Sequence, residues 1–272
     1  MAKNWLKDKT VVLTGASSGI GAHIVSILVG YGCKVIGISR DSEKAKKFAS
    51  NFPTDLYSYY CFDVGVKAQW IDFCNYLKDN SVKVDIVINN AGILPPFKRA
   101  EITPIDVYEK VTAINYLSCV YAYQYMQEFM QESTTPAIIN VSSSSALASL
   151  IGTSAYTASK TALRAYTECI AREKKGLYVA VVCPGFTKTD IFRDQKQSAD
   201  DGIIGKISMR ADKMAKKIVK KIIRKKRRII VGIDARFMSG LYRIAPSLST
   251  RLFAWFFKKV KLPLFDGIFK QD

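Results

Sequence analysis

Short, β-branched apolar runs alternate along most of the chain with longer segments in which apolar residues recur every three or four positions. The runs at 10–14 (TVVLT), 34–39 (KVIGIS), 56–62 (LYSYYCF), 84–89 (VDIVIN), 138–141 (IINV), 177–183 (LYVAVVC) and 227–232 (RRIIVG) read as seven strands. Between them, 22–32, 41–48, 67–79 and 153–171 read as helices. So does a basic segment from about Ala211 to Arg227, whose Met214, Ile218, Val219, Ile222 and Ile223 fall on one face. On the helix at 153–171, Ala158, Ala162, Leu163, Ala165 and Ile170 are the expected packing positions. Another helix is expected to open at Thr103-Pro104, with threonine at the cap, proline in the first helical position and Asp106 completing a capping box. Strands alternating with helices predict an α/β fold: one doubly wound, seven-stranded parallel sheet with helices on both faces.

Polar residues gather where these strands end. Gly15-Ala16-Ser17-Ser18-Gly19-Ile20-Gly21 joins the first strand to its helix, with spacing G-x-x-x-G-x-G. Glycines there let the backbone approach a pyrophosphate, which then sits on the helix N-terminus. The second strand ends in Ser39-Arg40, with Asp41 one place further on. An arginine at this position suits the 2′-phosphate of NADP, whereas an acidic residue would suit the ribose of NAD. The fifth strand runs into four serines, Ser142 to Ser145, and a serine hydroxyl here is placed to hydrogen-bond a reacting oxygen. Tyr156 and Lys160 stand four apart on one helix face. An ammonium beside a phenol favours phenolate and lowers the phenol pKa from about 10. Asn115 interrupts an otherwise apolar helix, a place usually taken by a satisfied core amide. His23, the only histidine, lies beside the glycine turn but has no evident partner for catalysis.

Composition narrows the setting. The chain has 272 residues, 49% of them hydrophobic and 24% charged, as in folded globular proteins. Six cysteines without C-x-x-C spacing, several inside apolar runs, argue for a reducing cytoplasm with no disulfide framework and no metal site. The N-terminus enters its first strand too early for a signal peptide, and no apolar run is long enough to span a bilayer. The net charge of +18 is local: residues 188–272 carry 22 Lys and Arg against 8 Asp and Glu, while residues 1–187 carry 19 against 15. The basic run KKIIRKKRR suggests nucleic acid, but no aromatic platform interleaves its lysines and its apolar face must pack on the sheet. A solvated basic face is the expectation, without a nucleic-acid partner.

TGASSGIG at 14–21, Asp63-Val64, NNAG at 89–92, Asn115, Ser143, Tyr156-x-x-x-Lys160 and PG at 184–185 together resemble the short-chain dehydrogenase/reductase family, in its order and spacing over residues 8 to about 232. The resemblance implies a Rossmann-like catalytic domain over 1–233 and a nicotinamide cofactor, NADP(H) in preference to NAD(H). It implies Tyr156 as general acid or base, Lys160 lowering its pKa and binding ribose, Ser143 placing the substrate oxygen, and Asn115 supporting a proton relay. Ser143 is chosen among the four serines because the family places its serine thirteen residues before the tyrosine. Gly15, Ser17, Ser18, Gly19, Ile20 and Gly21 would line the pyrophosphate, Ser39 and Arg40 the 2′-phosphate, Asp63 and Val64 the adenine, and Asn90 the ribose. Pro184, Gly185, Thr187 and Thr189 would meet the nicotinamide, with Thr187 departing from the aliphatic residue usual there. Homodimers or homotetramers through the helices of Asn115 and Tyr156 are implied as well. The alternative is a catalytically silent member of the fold, acting as scaffold or cofactor sensor.

ILPPF at 93–97, ALASLIG at 146–152 and a mobile substrate-loop segment at 186–210 are the expected pocket walls. Their apolar character suits a hydrophobic ketone or alcohol of steroid, bile-acid or fatty-acyl type. Residues 234–272 form an aromatic and basic extension in which Leu252, Phe253, Trp255, Phe256 and Phe257 precede lysines. Such a segment either covers the pocket or a subunit interface, or lies at the surface of a membrane, making the protein peripheral to it.

Overall fold

The computed structural model describes residues 4–189, 191, 208–260 and 265–269. Strands β1 (Thr10–Thr14), β2 (Lys34–Ser39), β3 (Tyr57–Cys61), β4 (Ile86–Asn89), β5 (Ala137–Val141), β6 (Tyr178–Pro184) and β9 (Arg228–Val231) build one sheet in the order β3-β2-β1-β4-β5-β6-β9. All its pairs are parallel. A separate two-stranded pair, β7 (Thr187–Lys188) with β8 (Met209–Arg210), brackets the expected substrate loop. Most of that loop, 190 and 192–207, lies outside the described residues.

The central strands are largely apolar because both faces are covered. Alternate side chains go to opposite layers: Val11, Leu13, Ile86 and Ile139 to one cluster, Val12, Val87, Ile138 and Val179 to the other. Helices α1 (Gly19–Val29) and α7 (Ala211–Ile223) cover the first face. Helices α3 (Lys67–Asp79), α5 (Ser118–Met126) and α6 (Ser154–Glu173) cover the second. Helix α2 (Ser42–Ala49) packs beside β3. On α7, Met214, Ala215, Ile218, Val219 and Ile222 are buried and its lysines face outward, with Lys221 donating to the Ile230 carbonyl at 2.6 Å. The indole of Trp5 closes the far end of α7 by donating to the carbonyls of Ile222 and Ile223 at 3.3 and 3.1 Å.

Two local expectations need correction. Helix α4 spans Ile105–Thr112 with Pro104 outside it as the cap residue, so no threonine cap or capping box forms. The Thr103 hydroxyl instead donates to the Arg99 carbonyl across the preceding 3₁₀ turn. On α6, Ala158 and Ala165 face solvent; the inward face carries Tyr156, Ser159, Lys160, Leu163, Thr167 and Ile170. Polar residues can be buried there because the sheet answers them. Thr167 accepts from Asn140 at 2.9 Å, whose own Oδ1 accepts from Asn89 at 2.8 Å.

After β9 the chain continues as α8 (Ile233–Ile244), α9 (Pro246–Val260) and the short α10 (Asp266–Phe269). Phe253, Phe265 and Ile268 are buried with Leu94, Phe97, Ala148 and Met238 in a third apolar cluster, apart from the two sheet faces. Gly152, at φ +77°, makes room for this: a Cβ there would run into the Ile268 side chain.

Candidate active site

The site lies outside the C-terminal ends of β1 and β4, where the strand order reverses and open α/β sheets bind their ligands. Gly15 turns out of β1 at φ +68°, a conformation that favours glycine. A Cβ on Gly15 would press on Asn90 and Ala91, and one on Gly21 would run into the Gly15 carbonyl oxygen. Bare backbone therefore forms a cradle that side chains would fill. Helix α1 begins at this cradle with Ser18 as cap residue, yet the Ser18 side chain does not cap it and no acidic residue lies in its first turn. Such a helix end is suited to a phosphate.

A hollow continues from Ser17 and Ser18 past Ser39 and Arg40 to Asp63 and Val64, with Asp41, Lys44 and Ile114 on its walls. The Ser39 hydroxyl donates to the Ser17 hydroxyl at 2.9 Å, tying the end of β2 to the glycine turn. Asp41 is engaged at the end of α2, accepting from the Lys44 amide at 3.0 Å. Asp63 accepts from the Gly65 amide at 2.9 Å while its own amide donates to Gln69 at 2.7 Å, which fixes the turn after β3. Asn90 is placed at the crevice, but its side-chain amide donates to the Thr14 and Gly15 carbonyls, both at 3.2 Å. Its role in the chain by itself is to hold the glycine turn. His23 is exposed on α1.

At the other end of the crevice the four expected catalytic residues converge. Asn115 lies fully buried in a π-helical turn, Ala113–Leu117, a distortion frequent at functional sites. Its Oδ1 accepts from the Ile93 amide at 2.8 Å, and its Nδ2 donates to the Ile93 carbonyl at 2.9 Å and to Ser159 at 3.1 Å. The amide thus locks the loop after β4 against α6. Gly92 completes this contact, since a Cβ there would sit 3.1 Å from Lys160 Nζ and 3.2 Å from Asn115 Oδ1. Lys160 Nζ donates to the Val141 carbonyl at 2.9 Å and stands 6.0 Å from the centre of the Tyr156 ring. Ser142 fixes the same helix by donating to the Lys160 carbonyl at 2.7 Å.

Burial lowers the Lys160 pKa to about 8. Burial also raises that of Tyr156, against which a hydrogen bond with Ser143 acts, while buried Cys183 adds to the rise. This direction runs against the sequence expectation of a lowered phenol pKa: in the chain by itself, desolvation outweighs the Ser143 hydrogen bond.

Between Ser143, Tyr156 and Thr187 a cleft opens whose other walls are mostly apolar: Leu94, Phe97, Leu150, Phe186, Ile191 and Met238. The three expected segments supply most of them. Thr189 and Ile20 line both this cleft and the neighbouring one over the glycine turn, so the two are contiguous. Pro184 and Gly185 form the floor, and Gly185 has no room for a Cβ because the Asp234 carboxylate sits against it. That carboxylate accepts from the Phe186 amide at 2.6 Å, and burial raises its pKa. Sequence reasoning missed Asp234, Met238, Gln69 and Ser159. Only Asp234 left a signal, an acidic residue at the start of a helix in a basic region.

A parallel sheet with a crevice at its switch point, and with half-buried Ser143 beside buried Tyr156 and Lys160 at one end, defines a Rossmann-like α/β protein. A family model described as short chain dehydrogenase matches residues 9–200, and the chain belongs to the short-chain dehydrogenase/reductase family. A dehydrogenase/reductase SDR family protein 7-like from Dictyostelium discoideum is 30% identical over 203 residues, 71% of this chain; this chain spans only 63% of that protein's length. The 3-ketodihydrosphingosine reductase of Bos taurus is 28% identical over 244 residues, covering 85% of this chain and 73% of that one. A short-chain dehydrogenase from Sphingobium yanoikuyae, solved in complex with NADPH, shares the fold with a TM-score of 0.75 at 22% identity, over 88% of this chain and 94% of that one.

Proposed function

We propose that the chain is an NADP(H)-dependent oxidoreductase that interconverts a hydrophobic, lipid-like ketone and its secondary alcohol. The observation that carries the reading is buried Tyr156 beside half-buried Ser143 in an apolar cleft contiguous with the glycine cradle. The bound dinucleotide supplies or accepts the hydride. Gly15, Gly19 and Gly21 would receive its pyrophosphate, and Thr187 and Thr189 its nicotinamide end. Arg40 and Lys44 on one wall of the adenosine hollow favour a 2′-phosphate, with Asp41 engaged by its helix.

Ser143 orients the carbonyl oxygen, and Tyr156 donates the proton to it in reduction or takes it in oxidation. Lys160, fixed to the Val141 carbonyl, keeps a cation close to the tyrosine, and Asn115 holds the Ile93 loop that forms the roof. A steroid, bile-acid or fatty-acyl ketone fits the Leu94, Phe97 and Met238 walls better than a sugar does. The similarity to a 3-ketodihydrosphingosine reductase supports the long-chain version.

The test is cofactor consumption with a panel of lipid and steroid ketones. NADPH should outperform NADH, and Arg40→Asp should reverse that order. Tyr156→Phe should lose turnover by roughly three orders of magnitude or more while still binding NADPH. Turnover retained by Tyr156→Phe would sink the mechanism. NADPH binding without turnover on any ketone would favour the cofactor sensor.

A further inference from the structure

Helices α8 and α9 each carry two apolar stripes. The inner one places Met238 on the wall of the substrate cleft and Phe253 in the apolar cluster behind it. The outer one is bare among the described residues. On α8, Ile233, Phe237 and Ile244 recur at i, i+4 and i+11 and are 86%, 63% and 85% exposed. On α9, Leu248, Leu252 and Trp255 recur at i, i+4 and i+7, with Leu248 63% and Trp255 56% exposed. Exposed apolar stripes of this extent mark an interaction surface.

Charge decides what the surface fits. Arg236, Arg243, Arg251, Lys258 and Lys259 are all exposed on the same two helices, and Lys259 lies 4.9 Å over the Trp255 ring. The one carboxylate in this stretch, Asp234, is turned inward to the Phe186 amide. A two-fold interface between copies of this chain would set cations against cations with no carboxylate of these helices to answer them. A surface that offers both hydrocarbon and anions answers both features. We propose that the outer face of α8 and α9 docks on the interface of an anionic phospholipid bilayer. Docked in this way, the cleft behind Met238 and Phe253 stands one helix thickness from the membrane, and a lipid ketone need not cross water to reach Tyr156. This last step rests on the function proposed above; the docking itself does not.

The full-length chain is sedimented with phosphatidylcholine vesicles, with and without phosphatidylserine, at low and high salt. Binding should require phosphatidylserine, weaken with salt, and blue-shift a tryptophan emission that Trp255→Phe removes. Phe237→Ser/Ile244→Ser/Leu248→Ser should lose roughly tenfold or more of the binding. Arg243→Gln/Arg251→Gln/Lys258→Gln should lose roughly fivefold per residue, the equivalent of about 1 kcal/mol each. Both variants should reduce a water-soluble ketone as the parent does. A full-length chain that stays in the supernatant at low salt overturns the proposal. So does a serine variant that binds vesicles undiminished, or one whose only change is from dimer to monomer, which would assign the face to a second copy. Vesicle binding by a protein that reduces no lipid ketone would leave the docking intact and sink the substrate reading instead.

Discussion

Helix α7 and the pair α8–α9 are both basic and both amphipathic, and only the structure separates them. The apolar stripe of α7 is used once: Met214, Ile218 and Ile222 lie against the sheet and the lysines face water. On α8 and α9 the inner stripe is used in the same way, but Phe237, Ile244 and Leu248 repeat the pattern on the outside. A helical apolar period tells that a face exists, while the number of faces and their occupants depend on what stands beside them. The lesson is that local charge excess means two different things in one chain: solvation on α7 and, by the proposal above, recognition on α8 and α9.

The largest effect that would test this contrast is on stability. Ile218→Ala should destabilise the protein by about 2–5 kcal/mol, since it empties a fully buried site, as read from the midpoint of urea unfolding. Ile244→Ala, at an exposed position, should stay within about 0.5 kcal/mol. Equal losses at both positions would mean that the outer stripe is covered within the chain.

A second effect concerns the inner side of the tail. Gly152→Ala should cost roughly 2 kcal/mol, combining strain at φ +77° with a clash on Ile268. Adding Ile268→Ala should remove the clash and return part of the loss, leaving the backbone strain. Strict additivity in this double-mutant cycle would show that the tail does not press on the loop.

The smallest effect is a pH dependence at the root of α8. The raised carboxyl pKa of Asp234 means that the folded protein holds that proton more tightly than the unfolded chain, whose reference value is 3.8. Its contribution is therefore most favourable at acid pH and declines as pH rises through the raised value. Wild type should gain stability relative to Asp234→Asn as pH falls from neutral towards 4, in parallel denaturant titrations. A constant difference would place the carboxylate in solvent rather than under Phe186.

The sheet was legible almost residue by residue because strands buried on both faces leave unbroken β-branched runs, as in VVLT and AVVC. The glycine cradle and the tyrosine–lysine pair were legible because chemistry fixes their spacing along one turn or one helix face. Helix α6 was harder to read: its buried Lys160 and Thr167 satisfy themselves against β5, and that partnership spans too much sequence for periodicity to register. The upward direction at Tyr156 was hidden for a related reason, since adjacency on a helix says nothing of desolvation. Met238 was invisible as a site residue, and Asp234 left only a faint signal, because only the three-dimensional return of the chain brings α8 to the cleft.

The wall made by Phe253, Phe265 and Ile268 also bears on how the protein is made. A ribosome delivers every strand of the large sheet, ending at Val231, before it delivers these three residues. Domains generally fold as units, so the apolar cluster that holds Leu94 and Phe97 is completed only once these residues have been made. Packing of the apolar cluster around Leu94 and Phe97 thus waits on residues made after every strand of the large sheet.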